Sequence, residues 1–470
     1  MTRFWLALAG ATLVAPLAAA GEAAMDEPQS RQAVLPANPA SKVVHGNAAD
    51  DVFGLSEYTE PDAGTVGDEA QSASDPADRS GLLPGARFSL KHELAGRIRK
   101  PHSLPNNRSS FRIEYEKYFL DNYYLHLDVL DTLFWKDDHR AEARGGTFRE
   151  STVRAAYLQF SKASTSLKIG RQILVWGESD AGAITDVISP RNASELFFIS
   201  LEESRISQFM LTLDHFTRFG DWSMFYIPSA RFNKYPEKGT AYYIDQTGGM
   251  PLAAAGDDDL REFGMRWKKT FGSSDISVMA ARLYDNDPAL SVDLGGAVPS
   301  LRSDPQRFDM IGMSFNLATD KILFSGEVAR KSPRAFLAPA TLQTVRKDQV
   351  DTSLRAEYVI GNAGSHAVSV EAVNQHIRDW EPGISAPRNN NTLVLGWRNN
   401  FLNDNLSANW LTVYNQTYPS FQHSLFLSYK VNGRLSLSLD TFYLKVKDRK
   451  NPLLPYQGQN AAVFRVLYQF

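Results

Sequence analysis

The chain of 470 residues contains no cysteine. Disulfides, thiolate nucleophiles and cysteine-based metal sites are therefore excluded, and so is a lipid-modified cysteine behind a secretory leader. Long apolar runs are missing too. After the first twenty residues no stretch of 18 or more apolar residues occurs, and mean hydropathy is −0.31, which argues against a helical membrane protein. Charge of one sign does not dominate. Residues 81–470 hold 46 basic and 41 acidic side chains, far from a polyanion-binding surface, so no nucleic-acid partner is expected. The nine histidines show no H-x-x-x-H or H-E-x-x-H spacing, and no G-x-x-x-x-G-K loop is present. No catalytic set, metal site or cofactor is expected.

What is present points to the cell envelope. Arg3, the apolar "FWLALAGATLVAPL" and Ala18-Ala19-Ala20 read as a cleaved secretory signal over residues 1–20. Residues 21–80 hold twelve acidic against three basic side chains, with many Ala, Pro, Ser and Gly. Such a segment buries too little apolar surface to offset its ordering entropy, and is expected to be disordered in the periplasm. It is also too short for the folded plug of a TonB-dependent transporter. The chain closes on "AAVFRVLYQF", with Ala462, Phe464, Val466, Tyr468 and Phe470 on one face. An alternating strand ending in Phe resembles the last strand of bacterial outer-membrane barrels, which the barrel assembly machinery reads.

Alternating segments of about 9–12 residues recur from Ala86 onward, the length of a tilted membrane strand. They fall at 86–97, 109–119, 122–133, 149–160, 166–176, 206–217, 221–229, 260–270, 276–284, 307–317, 322–330, 350–360, 366–376, 391–400, 406–415, 422–431, 434–445 and 461–470. Connections after even-numbered strands are short and rich in turn residues, such as "SKAST", "RFGD", "FGSSD" and "NGR", whereas those after odd-numbered strands are mostly long. That alternation predicts one antiparallel transmembrane β-barrel of about 18 strands over 81–470, with short periplasmic turns and long external loops.

Strand periodicity also assigns faces. Phe111, Ile113 and Tyr115 are expected outside with Arg112, Glu114 and Glu116 inside; Phe263, Met265 and Trp267 outside with Glu262, Arg266 and Lys268 inside; Val350, Leu354, Tyr358 and Ile360 outside with Asp351, Arg355 and Glu357 inside. Together with Lys168 these charges are expected to line a polar lumen. Competing readings are weaker. Asp214-His215 could suggest a barrel hydrolase of the omptin kind, but neighbouring strand residues point to opposite faces. Ser89, His92 and Glu93 share a strand without marking an outer-membrane phospholipase. The acidic "GDDDL" at 256–260 has generic spacing for calcium, and His45 falls in the acidic tail.

The most specific stretch is "KIGRQILVWGESDAGAITDVISPRN", residues 168–192. Gly170-Arg171-Gln172, Trp176-Gly177, Asp180, Ser189-Pro190-Arg191, Leu201-Glu202-Glu203 and Arg205-Ile206 resemble a family of bacterial outer-membrane barrels carrying GRQ-x-x-x-WG-x-x-D, an N/S-P-R/V turn and an L-E-E-x-R-I run. Ser189 stands where Asn is expected. The resemblance implies a porin-like or export channel, some members acting with inner-membrane RND-type exporters, with a looser likeness to alginate-export barrels. Two functions follow. One is a channel passing small or medium polar solutes through a lumen narrowed by the loop 177–205. The other is an outer-membrane portal exporting a polymer, lipid or secondary metabolite, with an inner-membrane or periplasmic partner that the acidic segment would contact.

An eighteen-stranded barrel is too wide to select small solutes unless something folds inward. The apolar patch Leu196-Phe197-Phe198-Ile199 is expected to pack into the barrel, leaving Arg171, Trp176, Glu178, Asp180, Asp186, Arg191, Glu202, Glu203 and Arg205 at a constriction. The alternative is an outward loop over the mouth or against a neighbouring subunit. Leu167, Ile169, Ile173 and Val175 share a parity that would put Arg171 in lipid, at a cost of roughly 2–4 kcal/mol near the midplane. A β-bulge at or near Gly170 is therefore expected to turn Arg171 inward, towards Asp180 or Asp186.

Overall fold

A computed structural model describes residues 84–470, apart from 101–102, 178, 180–183, 196–200, 246–251, 254–259, 294–299, 339–342 and 362–364. The signal and acidic segments assigned to 1–20 and 21–80 lie outside the described residues, as does the patch 196–199.

Period-two alternation with an outward apolar face produces eighteen strands in one sheet. They are β1 (Ala86–Arg97), β2 (Asn106–Phe119), β3 (Tyr123–Phe134), β4 (Phe148–Lys162), β5 (Thr165–Gln172), β6 (Gln208–Thr217), β7 (Gly220–Ile227), β8 (Glu262–Phe271), β9 (Ser274–Tyr284), β10 (Arg307–Ala318), β11 (Ile322–Ala338), β12 (Gln343–Val359), β13 (Ala367–Ile377), β14 (Asn389–Phe401), β15 (Leu406–Asn415), β16 (Ser420–Lys430), β17 (Leu435–Val446) and β18 (Ala461–Gln469). Each pairs antiparallel with its chain neighbours. β18 returns to β1 in register from Ser89 opposite Gln469 to Arg97 opposite Ala461. The barrel is closed, so no sheet edge is left to satisfy in an apolar medium.

One end carries the short turns. Gly272 closes the β8–β9 turn at φ 61°, and Leu402, Asn403 and Asp404 occupy the same left-handed region between β14 and β15. The other end carries the long connections, and its wall is uneven. β11 and β12 reach 17 residues each, whereas β5 and β7 have only eight. Three strands in the long loops escaped the periodicity reading: Ala289–Asp293 pairs with Ser300–Asp304, which Leu252–Ala253 joins in parallel. They are too short to show a period.

The faces follow the expected parity. Phe111, Ile113, Phe263, Met265, Leu354 and Tyr358 are exposed on the outside, while Asp351, Arg355 and Glu357 are buried within. Aromatic rings cluster outside near the short-turn end, where Tyr123 lies between Phe119 and Phe160 at 5.6 and 5.0 Å. One bulge interrupts β4. Asp128 pairs with Ala155 and Val129 with Val153, leaving Arg154 as the extra residue. Arg154 is buried, and its Nε donates to Asp128 Oδ2 at 3.1 Å.

An inward loop and its anchors

The connection between β5 and β6 begins with the GRQ triplet. Gly170 has φ 137°, and a Cβ there would lie 2.3 Å from the Ala156 carbonyl oxygen, so only glycine lets β4 approach. Pairing through it is regular: Gly170 opposes Tyr157 and Met210, and Arg171 opposes Ala156 and Phe209. The expected bulge at Gly170 is therefore absent. Arg171 shares the outward face with Leu167 and Ile169, away from the lumen. The bulge that turns an arginine inward is one strand earlier, at Arg154. Gln172 does point inward, with Nε2 donating to the Met210 carbonyl at 3.1 Å.

Beyond Gln172 the chain enters the barrel. Leu174, Trp176, Ile184 and Ile188 pack against inward-facing Met210, Phe225, Ile227, Met279, Leu283, Phe308 and Met310 from β6, β7, β9 and β10, and the same cluster reaches Val373, Val394 and Leu411 of β13, β14 and β15. Trp176 is 1% exposed and meets the Phe225 ring edge-on at 5.1 Å, with the Arg266 guanidinium 5.8 Å from its own ring. Part of the inner wall is thus apolar, a departure from the polar lumen expected, because the loop itself covers it. Ser189 clasps the backbone, accepting from Leu174 N and donating to its carbonyl, both at 3.0 Å. A Cβ on Gly177 would lie 2.6 Å from the Asp186 Cβ, so glycine lets the two arms of the loop touch.

The loop then crosses to the opposite wall. Glu327 of β11 accepts from Ser179 N at 2.5 Å, Thr185 N at 3.0 Å and Thr185 Oγ1 at 2.7 Å. Glu371 of β13 accepts from Ser179 Oγ at 2.5 Å. Asp186, expected beside Arg171, instead takes Arg191 at 2.6 Å and Arg205 at 3.4 Å. On the near side Glu195 binds Arg108 of β2, accepts from Asn106 at 3.2 Å and lies 3.6 Å from His139, and Glu203 pairs with Lys91 of β1. Burial raises both carboxyls, but Arg108 and His139 hold Glu195 far below the usual carboxylate range, and Lys91, with Arg154 and Arg465 behind it, holds Glu203 at about 2. Glu178 and Asp180 lie outside the described residues, as does the side chain of Glu202.

Several other lumen charges sit in ion pairs. Arg112 holds Asp128 through two bonds of 2.9 Å and Glu114 at 3.0 Å; Lys331 meets Asp351 at 2.7 Å; Glu357 takes Arg355 at 2.5 Å and Arg398 at 2.7 Å; Lys268 is 3.6 Å from Asp275. Lys168 is buried on the inner face of β5. The partners of Glu195, Glu327 and Glu371 were missed in the sequence because they are far apart along the chain. Asp214 and His215 do point apart, to Ser223 inside and Thr165 outside. On the long-loop side a cavity of ≈ 200 Å³ opens between Asp186, Asn233, Asp285, Phe308, Arg334 and Asp351.

The model of the family of proteins of unknown function DUF1302 matches residues 99–465. The chain belongs to the DUF1302 family. A comparison with curated proteins finds no match. Among solved structures, this DUF1302 chain is similar to Acinetobacter baumannii OccAB1, with a TM-score of 0.50 at 12% identity over 82% of this chain and 95% of that one. Pseudomonas aeruginosa OccK2 in complex with glucuronate gives 0.49 at 11% over 82% and 97%, and Salmonella typhi OmpF in complex with daunomycin 0.43 at 11% over 82% and 97%. At these identities the likeness is one of fold: a closed, porin-like barrel of 18 strands.

Proposed function

We propose that this DUF1302 protein is an outer-membrane channel, passing small or medium polar solutes through a lumen narrowed by the β5–β6 connection. The observation that carries the reading is the crossing of the lumen by that loop, from Trp176 under β7 to Glu327 on β11 and Glu371 on β13. A barrel of this strand number encloses a wide aqueous channel. A segment held by both an apolar cluster and charged hydrogen bonds narrows it without closing it as a separate plug domain would. Beside the loop a cavity lined by Asp186, Arg191, Asp285, Lys331, Arg334 and Asp351 offers charged groups that can exchange hydrogen bonds with a polar solute in transit.

The test is single-channel recording in planar bilayers. A variant lacking residues 180–200 is expected to conduct more than the parent, and unchanged conductance sinks the constriction. Conductance only in the presence of an inner-membrane or periplasmic component would favour an export portal instead.

A further inference from the structure

The cavity beside the inward loop holds one carboxylate more than its cations occupy. Arg191 takes Asp186 at 2.6 Å, Lys331 takes Asp351 and Arg334 takes Asp285, both at 2.7 Å, and all six line the cavity. A fourth lining aspartate, Asp287, makes no ion pair with any described residue. It stands in the β9–β10 connection, outside the barrel strands. Both of its side-chain hydrogen bonds fall on one oxygen: Oδ1 accepts from the Asn233 amide at 2.7 Å and from the Tyr235 hydroxyl, two neutral donors. Oδ2 accepts from no described residue, and on a half-buried side chain that lines the cavity it stays open to it. Asp186, only 7% exposed, likewise leaves its Oδ1 without a partner. The undescribed segments between 84 and 470 contain no lysine or arginine, so none of them supplies a missing cation.

Burial and the neighbouring charge of Asp285 push the Asp287 carboxyl above its ordinary value, and the bonds from Tyr235 and Asn233 and the charge of Arg334 offset this only in part. A cation brought to Oδ2 relieves that cost. A bare cation would leave much of the lining unused, because Pro288, Leu290, Phe308, Phe336, Leu337 and Ile377 face the same space. Its volume of ≈ 200 Å³ exceeds the roughly 150 Å³ of an apolar cavity that takes up benzene, so one ring and a short arm fit. We propose that the cavity is a binding site for organic ammonium ions, with the cationic head on Asp287 and a small apolar body against the apolar lining. The assignment rests on the channel reading above and narrows it, naming small amphipathic amines as the solutes received at the long-loop end.

Isothermal titration of the full-length protein in detergent, near neutral pH, tests this with three probes: phenethylammonium, the uncharged phenethyl alcohol and ammonium chloride. The parent is expected to bind phenethylammonium more tightly than either of the others. Asp287→Asn keeps an Oδ1 acceptor for Asn233 and Tyr235, and should weaken phenethylammonium about tenfold or more, as loss of a bond to a charged group implies. Heat-modified gel mobility reports an intact barrel, and the comparison of probes on the parent needs no variant. Equal binding of phenethyl alcohol, or unchanged affinity in a folded Asp287→Asn protein, overturns the site. Equal binding of the ammonium ion overturns the amphipathic class in favour of a simple cation site. Conductance is recorded in planar bilayers on the same preparations. Conduction without amine-selective binding refutes this site alone, whereas amine binding without conduction refutes the channel alone.

Discussion

Replacing Glu327 by alanine removes the acceptor for three hydrogen bonds that hold the inward loop to β11: Ser179 N, Thr185 N and Thr185 Oγ1. A bond to an ionised group contributes about 1.5–3 kcal/mol, and bonds sharing one carboxylate are not additive. The Thr185 hydroxyl keeps a second acceptor, the Trp176 carbonyl at 3.2 Å, so a loss of about 3 kcal/mol in docking is a reasonable figure. That weakens the docked state about 150-fold. The apolar cluster around Trp176 keeps the base of the loop in place, so the tip is expected to leave the wall intermittently rather than the whole segment unfolding. In single-channel recordings Glu327→Ala should show brief excursions to a higher conductance level. The double variant with Glu371→Ala, which also removes the Ser179 Oγ contact, should spend more time there. Asp309→Ala is the control, because it breaks an exposed outer-wall pair with Arg282 that lies away from the lumen. Identical amplitude and open-channel noise in the parent, Glu327→Ala and the double variant would refute the docking argument.

Truncating Trp176 to alanine should cost about 3–5 kcal/mol of local packing, and limited proteolysis should then cut within 173–207 where the parent resists. Gly170→Ala forces a side chain onto the Ala156 carbonyl at a positive φ; a loss of about 1–3 kcal/mol should lower the temperature at which the gel band shifts, and no change would mean that β4 and β5 do not approach as described. The Glu203–Lys91 contact should be insensitive to pH from 8 to about 5. Because the folded carboxyl is held at about 2 against an ordinary 4.5, its stabilisation is complete above the higher value and lost as pH falls towards the lower one. Acid-induced noise in the channel current should therefore begin below about 4.5 and be exaggerated by Lys91→Gln.

Much of the barrel was legible in the residues alone. A lipid-facing strand must alternate, so parity assigned Phe111, Met265 and Leu354 to the outside and Arg112, Arg266 and Arg355 to the inside, and turn chemistry separated short connections from long ones. Even the bulge left a trace: in "TVRAAYLQF" the apolar parity changes between Val153 and Leu158, marking Arg154. In β5 the parity runs unbroken through Leu167, Ile169 and Arg171. The lipid cost that argued for a bulge there applies near the midplane and fades towards the interface, which the short β5 wall brings closer.

The path of the long loop was not legible. That "LVWG" and "ITDVI" would be buried under β7, β9 and β10 follows from their fit against Phe225, Met279 and Met310, and that the tip would dock on Glu327 and Glu371 depends on carboxylates 142 and 192 residues away in the chain. Periodicity is a local property, dictated by one solvent on each face of a strand. It determined the strand number, their faces and the ends at which the loops emerge. Which side chains meet across the lumen is decided only when the sheet closes and brings distant strands within hydrogen-bond reach.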